Sequence, residues 1–279
     1  MKIIREEDFV QRFSEELIRA NFRLRGDMTS YFQSLRGRET LGADAKTVVD
    51  IFLQNVSLAE TENRAICQDT GYVQVYVEIG NEVQIPFVIG DSIQKSVADV
   101  YDRWKLRKSI ADSLSRQNTG TNAPAFIHYE VVAGDTFHVQ IMLKGGGSEN
   151  LTKAGYLLPT ADRDTMVKWV TSAVDAAGAK GCPPYILGIG IGGTLEKALH
   201  YSKLLLLRHF GDDSMTDEEK ELAGRIQKSA NALGIGFQGM GFGETVLSVQ
   251  VQSIPCHIAT LPIAVSIGCN AARQGEFSL

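Results

Sequence analysis

A change of hydrophobic period near residue 70 restricts this chain's fold more than any other feature. Before it, apolar residues recur every three or four positions. Phe9, Val10, Phe13, Leu17, Ile18 and Phe22 do so within residues 5–24, and Val48, Val49, Ile51, Phe52 and Val56 within residues 43–60. Both runs predict amphipathic helices. From Val73 the spacing drops to two, Val73, Val75, Val77 and Ile79 alternating with polar or aromatic residues up to Gly80. That pattern predicts a strand, with Asn81 and Glu82 as a turn and residues 83–89 as the returning strand of a hairpin.

Residues 91–116 predict a helix with Asp91 or Ser92 as N-cap, and residues 125–132 and 136–143 a second hairpin around Ala133-Gly134-Asp135. A helix over 160–179 capped by Thr160, a strand over 185–191 and a helix to about residue 208 follow. A helix over 217–233 and strands over 245–253 and 257–266 close the chain. The expected class is α+β, mixed helices with mainly antiparallel β-hairpin sheets, compacted as a single domain over residues 1–279.

A chain of 279 residues buries enough surface to fold without a disulfide staple. Its net charge of -5 argues against a nucleic-acid partner, which would want clustered Lys and Arg, but not against a small anion in a local basic pocket. The first residues, Met1 to Asp8, are too acidic for a secretory signal, and no apolar run approaches the ~20 residues of a membrane span. The expected location is cytoplasmic, where thiols stay reduced.

In that setting three of the four cysteines have unusual flanks. Cys67 lies in Cys67-Gln68-Asp69-Thr70-Gly71, Cys182 in Gly181-Cys182-Pro183-Pro184, and Cys269 in Gly268-Cys269-Asn270-Ala271-Ala272-Arg273. Gly and Pro neighbours bring backbone amides close to a ligand and fix the loop. No two cysteines have the close spacing of a zinc site, so a three-thiolate metal or iron–sulfur centre is the sharper expectation, set against the plain alternative of small buried core thiols. Cys256, beside His257, reads as a small core residue. Asp69 is either an Asx-turn residue or a proton relay beside the metal. Lys144-Gly145-Gly146-Gly147-Ser148-Glu149-Asn150 is either a flexible turn or a backbone anion cradle. Gly188-Ile189-Gly190-Ile191-Gly192-Gly193 matches a dinucleotide fingerprint, which keeps an NAD-dependent oxidoreductase open as a rival. The preferred role of these glycines is to let the loop after Cys182 pack against a cluster.

Taken together, Cys67 to Gly71, Asn118-Thr119-Gly120-Thr121-Asn122, Lys144 to Asn150, Cys182 through Thr194 and His257 through Arg273 resemble the iron–sulfur hydro-lyase family. This is the family of class I fumarate hydratases and L-tartrate dehydratases, and the match is to their α subunit. The resemblance implies a 4Fe-4S cluster on Cys67, Cys182 and Cys269, with one iron left for chemistry. It implies Asp69 and His257 as catalytic residues and Gln68, Arg107 and Gly146 as contacts to a C4-dicarboxylate substrate. It further implies a β subunit that supplies the carbon base, in an α2β2-type assembly. Ser148-Glu149-Asn150 is similar to the fumarate hydratases, where tartrate dehydratases tend to carry Cys in place of Ser148. The implied reaction is therefore fumarate plus water to L-malate, with tartrate or a related hydroxy-diacid as the alternative.

Overall fold

Alternation at residues 73–79 does produce a strand, and the earlier helical periods produce helices, in a computed structural model that describes residues 2–279. In chain order run β1 (Lys2–Ile3), α1 (Glu6–Phe22), α2 (Gly26–Gly37), α3 (Ala43–Glu62), β2 (Tyr72–Gly80), β3 (Val83–Gln84) and α4 (Ile89–Arg103). Then come β4 (Phe126–Val132), β5 (Phe137–Lys144), the single turn α5 (Gly146–Glu149), β6 (Lys153–Leu157) and α6 (Arg163–Ala177). The last elements are β7 (Tyr185–Gly192), α7 (Leu195–Leu204), α8 (Asp217–Asn231), β8 (Val246–Ile254), β9 (Leu261–Gly268) and β10 (Arg273–Ser278). The class is α+β, as expected.

The chain divides into two compact units. The first gathers the segment up to Thr29, Leu53–Gly146 and Ala271–Leu279. Its main sheet has the order β10-β5-β2-β4, with β2 parallel to β4 and antiparallel to β5. Val73, Val75 and Val77 line up with Leu143, Ile141 and Val139, so these two strands present apolar side chains to one face of the sheet. Phe9, Phe13 and Leu17 of α1, with Ile93 and Val97 of α4, are fully buried in the same core. Each such side chain contributes about 2 kcal/mol through burial.

The expected hairpins do not form. β3 pairs in parallel with β1 rather than returning along β2. β2 lies between β4 and β5, and the loop that joins those two crosses its end. There Gly80 N–H donates to Thr136 O at 2.6 Å, and a Cβ on Gly80 would stand 2.2 Å from Gly134 O. A turn-like spacer marks a reversal of direction but not which strand fills the space between its arms. The helix expected over 91–116 stops at Arg103, its N-cap is Val88, and neither Asp91 nor Ser92 caps it. Lys105 takes a positive φ of 51°, and Asp112 Oδ1 accepts from the N–H groups of Leu114 and Ser115 at 3.1 and 2.7 Å, which holds a turn instead. Asp162 rather than Thr160 caps α6, accepting from Thr165 N at 2.8 Å.

The second unit comprises Ser30–Phe52 and Gly147–Asn270. Its sheet order is β6-β9-β7-β8, with β7 parallel to β8 and antiparallel to β9. Every residue of β7 is buried. Tyr185, Leu187, Ile189 and Ile191 pack with Val170 and Val174 of α6 and Ile226 of α8. The alternate positions, Gly188 and Gly190, face α7, where an added Cβ would stand 2.0 Å from Ser202 O and 2.1 Å from Ala198 O. Here the expectation from sequence is corrected: Gly188 and Gly190 give a helix backbone access to the strand, and neither a dinucleotide nor a cluster is needed to explain them. α8 begins with a capping box formed by Thr216 and Glu219.

Candidate active site

In the first unit the loop from Ile66 to Gly71 is held at Ile66, Asp69, Thr70 and Gly71. Ile66 N–H donates to Asn21 O at 3.0 Å and its carbonyl accepts from Asn55 Nδ2 at 3.0 Å. Cys67, partly exposed, follows directly, with its thiol 3.6 Å from Gln68 Oε1. Gln68 itself is exposed. Thr70 is 1% exposed, and its hydroxyl donates to Arg107 O at 2.5 Å. Tyr101 donates to Thr70 O at 3.2 Å. Burial pushes the Tyr101 phenol up to about 12; the Arg273 charge and Asn21 oppose this, and the Asp69 charge adds to it.

The Asp69 carboxylate is the centre of this arrangement. Its Oδ1 accepts from Gly71 N at 3.0 Å and lies 3.4 Å from the Ser109 hydroxyl, and its Oδ2 accepts from Gly146 N at 2.8 Å. Hence the Asx-turn reading and the placement of Gly146 beside the site are one geometry: the glycine-rich turn donates to the aspartate. Gly71 has φ +70°, and a Cβ there would sit 2.4 Å from Lys144 O. Asn122, fully buried, accepts from Ser109 N at 2.5 Å and donates to Gly71 O at 3.2 Å, joining the run from 118 to 122 to the same loop. Arg107 lies beyond the end of α4, with its side chain exposed and its backbone carbonyl fixed by Thr70.

In the second unit Cys182 has φ 57°, is exposed, and follows Gly181 at the end of a turn. Its carbonyl accepts from Asn270 N at 3.2 Å, so the chain beside Cys269 is tied to the chain at Cys182. The Tyr185 hydroxyl donates to Gly178 O at 2.7 Å and accepts from Gly181 N at 3.1 Å. Burial drives its pKa up to about 12; the Gly181 N–H opposes this, and negative charge on Cys182 and Cys269 adds to it. Both sulfurs therefore act on one phenol. Cys256 donates to Thr260 O at 3.1 Å inside its own turn.

His257 sits in that turn rather than in β9, which begins at Leu261. Its Nδ1 accepts from Ala259 N at 3.1 Å and its carbonyl accepts from Thr260 N at 2.9 Å. The neutral ring then carries its proton on Nε2, on an exposed side chain able to donate to an anion.

None of the four cysteines is in a disulfide. Among the described residues no group of three His, Cys, Asp or Glu side chains is placed to hold a metal ion. The thiols of Cys67, Cys182 and Cys269 are the donor chemistry that an iron–sulfur centre takes, and each stands in a backbone-pinned loop. Sequence reasoning assigned no role to Ser109, Tyr101 or Arg273. Ser109 stands two residues after Arg107, but nothing in its spacing pointed to Asp69.

Among the described residues no helix is long and apolar enough to cross a membrane. A relative from Methanocaldococcus jannaschii, provisionally named L(+)-tartrate dehydratase subunit alpha, is 32% identical over 238 residues, 82% of this chain and 83% of its own. The L(+)-tartrate dehydratase subunit alpha of Escherichia coli UTI89 is 27% identical over 257 residues, 91% of this chain and 84% of the relative. The K12 protein of the same name is 26% identical over the same length. The fumarate hydratase (Fumerase) family model matches residues 10–278, so this chain belongs to that family of hydro-lyases.

Proposed function

We propose that the chain is the α subunit of an iron–sulfur hydro-lyase that adds water reversibly across the double bond of fumarate to give L-malate. The observation that carries this reading is the Asp69 carboxylate, two residues from Cys67 and held by the N–H groups of Gly71 and Gly146. Cys67, Cys182 and Cys269 would hold a 4Fe-4S cluster. When bound, such a cluster supplies a Lewis-acidic iron that polarises the substrate hydroxyl.

The chain's own residues then have separate tasks. Asp69 handles the proton of the leaving or entering hydroxyl, in an orientation fixed before substrate arrives. Gln68 and Arg107, both exposed, bind the substrate carboxylates, Arg107 as a planar two-pronged donor. His257 donates from Nε2 to a carboxylate, and Gly146 keeps the turn thin enough for substrate to approach. Negative charge builds on a carboxylate as the carbon-bound proton leaves, and fixed donors stabilise it. A β subunit supplies that carbon base, in a cytoplasmic α2β2-type assembly.

A second reading, L-tartrate dehydration, is favoured by the names of the relatives. Ser148, buried within the single turn α5, supports the fumarate reading through the family resemblance. The test is anaerobic reconstitution with iron, sulfide and the β partner, followed by iron and sulfide counting and rates on fumarate, mesaconate and L-tartrate. Four irons per chain and a kcat/KM for fumarate well above that for tartrate are expected; the reverse ranking would refute the substrate, and iron-free full activity would refute the centre. Substantial turnover by the α chain alone would refute the shared site.

A further inference from the structure

We propose that Arg273 is the positioning residue of Asp69: its guanidinium is the counter-charge that holds the carboxylate in its working orientation. The inference rests on the reading of Asp69 as the proton-handling group. Arg273 is 2% exposed and is among the largest fully buried side chains of the chain. Its Nε and Nη1 are buried and have no hydrogen-bond partner among the described residues. A guanidinium cannot shed its proton, and an uncompensated charge in an interior is strongly unfavourable. A buried arginine with vacant donors thus calls for an anion beside it.

Asp69 supplies that anion. A Cβ built on Gly145 would stand 2.9 Å from Asp69 Oδ2 and 3.9 Å from Arg273 Nη2, so both charges border the same small space. The Tyr101 hydroxyl feels both, in opposite directions. An ionised carboxylate offers about four lone-pair positions. Asp69 has two partners on Oδ1 and one on Oδ2, and Oδ2 is the oxygen that faces Gly145. Glu16, the carboxylate lying against Gly275 two residues further along β10, is already engaged by Arg19 at 2.6 Å. Gly145 keeps this space open, since a side chain there would stand close to both charges.

Arg273 opens β10, opposite Leu143 in the register, and β5 ends one residue later at Lys144, directly before Gly145. Sheet pairing therefore fixes the arginine relative to the turn whose Gly146 N–H holds Asp69. The backbone donors fix one edge of the carboxylate and the guanidinium charge fixes its remaining freedom.

The test uses the chain reconstituted with iron, sulfide and its partner subunit, in four forms: unchanged, Asp69→Asn, Arg273→Gln and the double variant, with Arg273→Lys beside them. Arg273→Gln is expected to lower kcat by about 10–100-fold with KM within about threefold and iron content unchanged. Arg273→Lys is expected to recover part of that loss, since it keeps the charge but not the fork. In the Asp69→Asn background, Arg273→Gln is expected to cause no further fall in kcat. Equal falls in both backgrounds, or Arg273→Gln at full rate while Asp69→Asn is slow, would overturn the positioning role alone. Asp69→Asn at full rate would overturn the reading of Asp69 and the positioning role with it. If Arg273→Gln costs the cluster, urea unfolding of the metal-free chain decides. Destabilisations by Asp69→Asn and Arg273→Gln that do not add support the pair, and additive ones overturn it.

Discussion

Replacing Gly71 by Ala perturbs the site through backbone alone. The residue sits at φ +70°, and its Cβ would meet Lys144 O at 2.4 Å, Lys144 C at 2.6 Å and Gly145 N at 3.0 Å. All three are backbone atoms, so no side chain can swing away. A non-glycine residue in the left-handed region costs about 1–2 kcal/mol. Relieving the overlap by shifting backbone adds about 1–3 kcal/mol, for a total near 2–5 kcal/mol. The internal control is Gly120, with φ +76° and nothing within 4 Å of a built Cβ, where only the conformational cost applies. The assay is urea unfolding of both variants of the metal-free chain, paired with kcat of the reconstituted enzyme. Gly71→Ala also pushes the two donors of Asp69, Gly71 N and Gly146 N, apart. A misplacement of about 1 Å at a reacting group can cost about 100-fold in rate. Equal stability losses at 71 and 120, or Gly71→Ala at full kcat, would refute the claim that this contact sets the carboxylate.

Other outcomes follow from the same geometry. Cys67→Ser, Cys182→Ser and Cys269→Ser are each expected to abolish iron and sulfide retention, whereas Cys256→Ser, at a side chain that serves only a turn hydrogen bond to Thr260 O which a serine hydroxyl can also donate, keeps it; anaerobic metal counting checks this. Gly190→Ala, with its Cβ 2.1 Å from Ala198 O, is expected to destabilise the second unit by about 3 kcal/mol, seen as a lowered urea midpoint, and calorimetry with NAD is expected to show no binding. Burial would raise the Glu219 carboxyl, but the N–H groups and hydroxyls of Ser253 and Thr216 outweigh it and hold it below its ordinary value of 4.5. A depressed folded pKa adds stability above the unfolded value and loses it as pH falls through the folded one. Glu219→Gln is therefore expected to cost about 2 kcal/mol at pH 7 and progressively less below pH 4.5, read from urea midpoints across pH.

Local signals and non-local pairing separate cleanly in this chain. α1 was legible because Phe9, Phe13 and Leu17 repeat at four-residue spacing and point into one core. β7 was legible as a strand from its apolar character, yet its glycines were not legible as packing residues, because the partner backbone at Ala198 and Ser202 comes from a helix whose approach no spacing encodes. The hairpin expectations failed for the complementary reason: Ala133-Gly134-Asp135 looks like a tight turn but arches over Gly80, since β2 occupies the place between its neighbours. β6, α2 and β10 went unread, being short or flanked by Gly and polar residues. Asp69, Gly146 and the cysteines could be named from motif runs. Ser109, Tyr101 and Arg273 could not, because their roles arise only once β5 and β10 are paired and α4 ends beside Thr70.

That division has a physical basis at the Asp69 loop. Its left-handed glycine, its carboxylate and its buried threonine are local choices, and each leaves a visible mark on the sequence. What fixes them is drawn from far along the chain: Gly146 N, Asn122 Nδ2, Tyr101 Oη and Asn55 Nδ2, each supplying one hydrogen bond to the run from Ile66 to Gly71. A single such hydrogen bond contributes about 1 kcal/mol, or about 2 kcal/mol where it reaches the carboxylate, so no one of them holds the loop. Acting together, four such anchors leave the segment beside Cys67 few alternative conformations, and a proton-handling carboxylate needs such restraint, because its rate contribution depends on orientation before the substrate arrives.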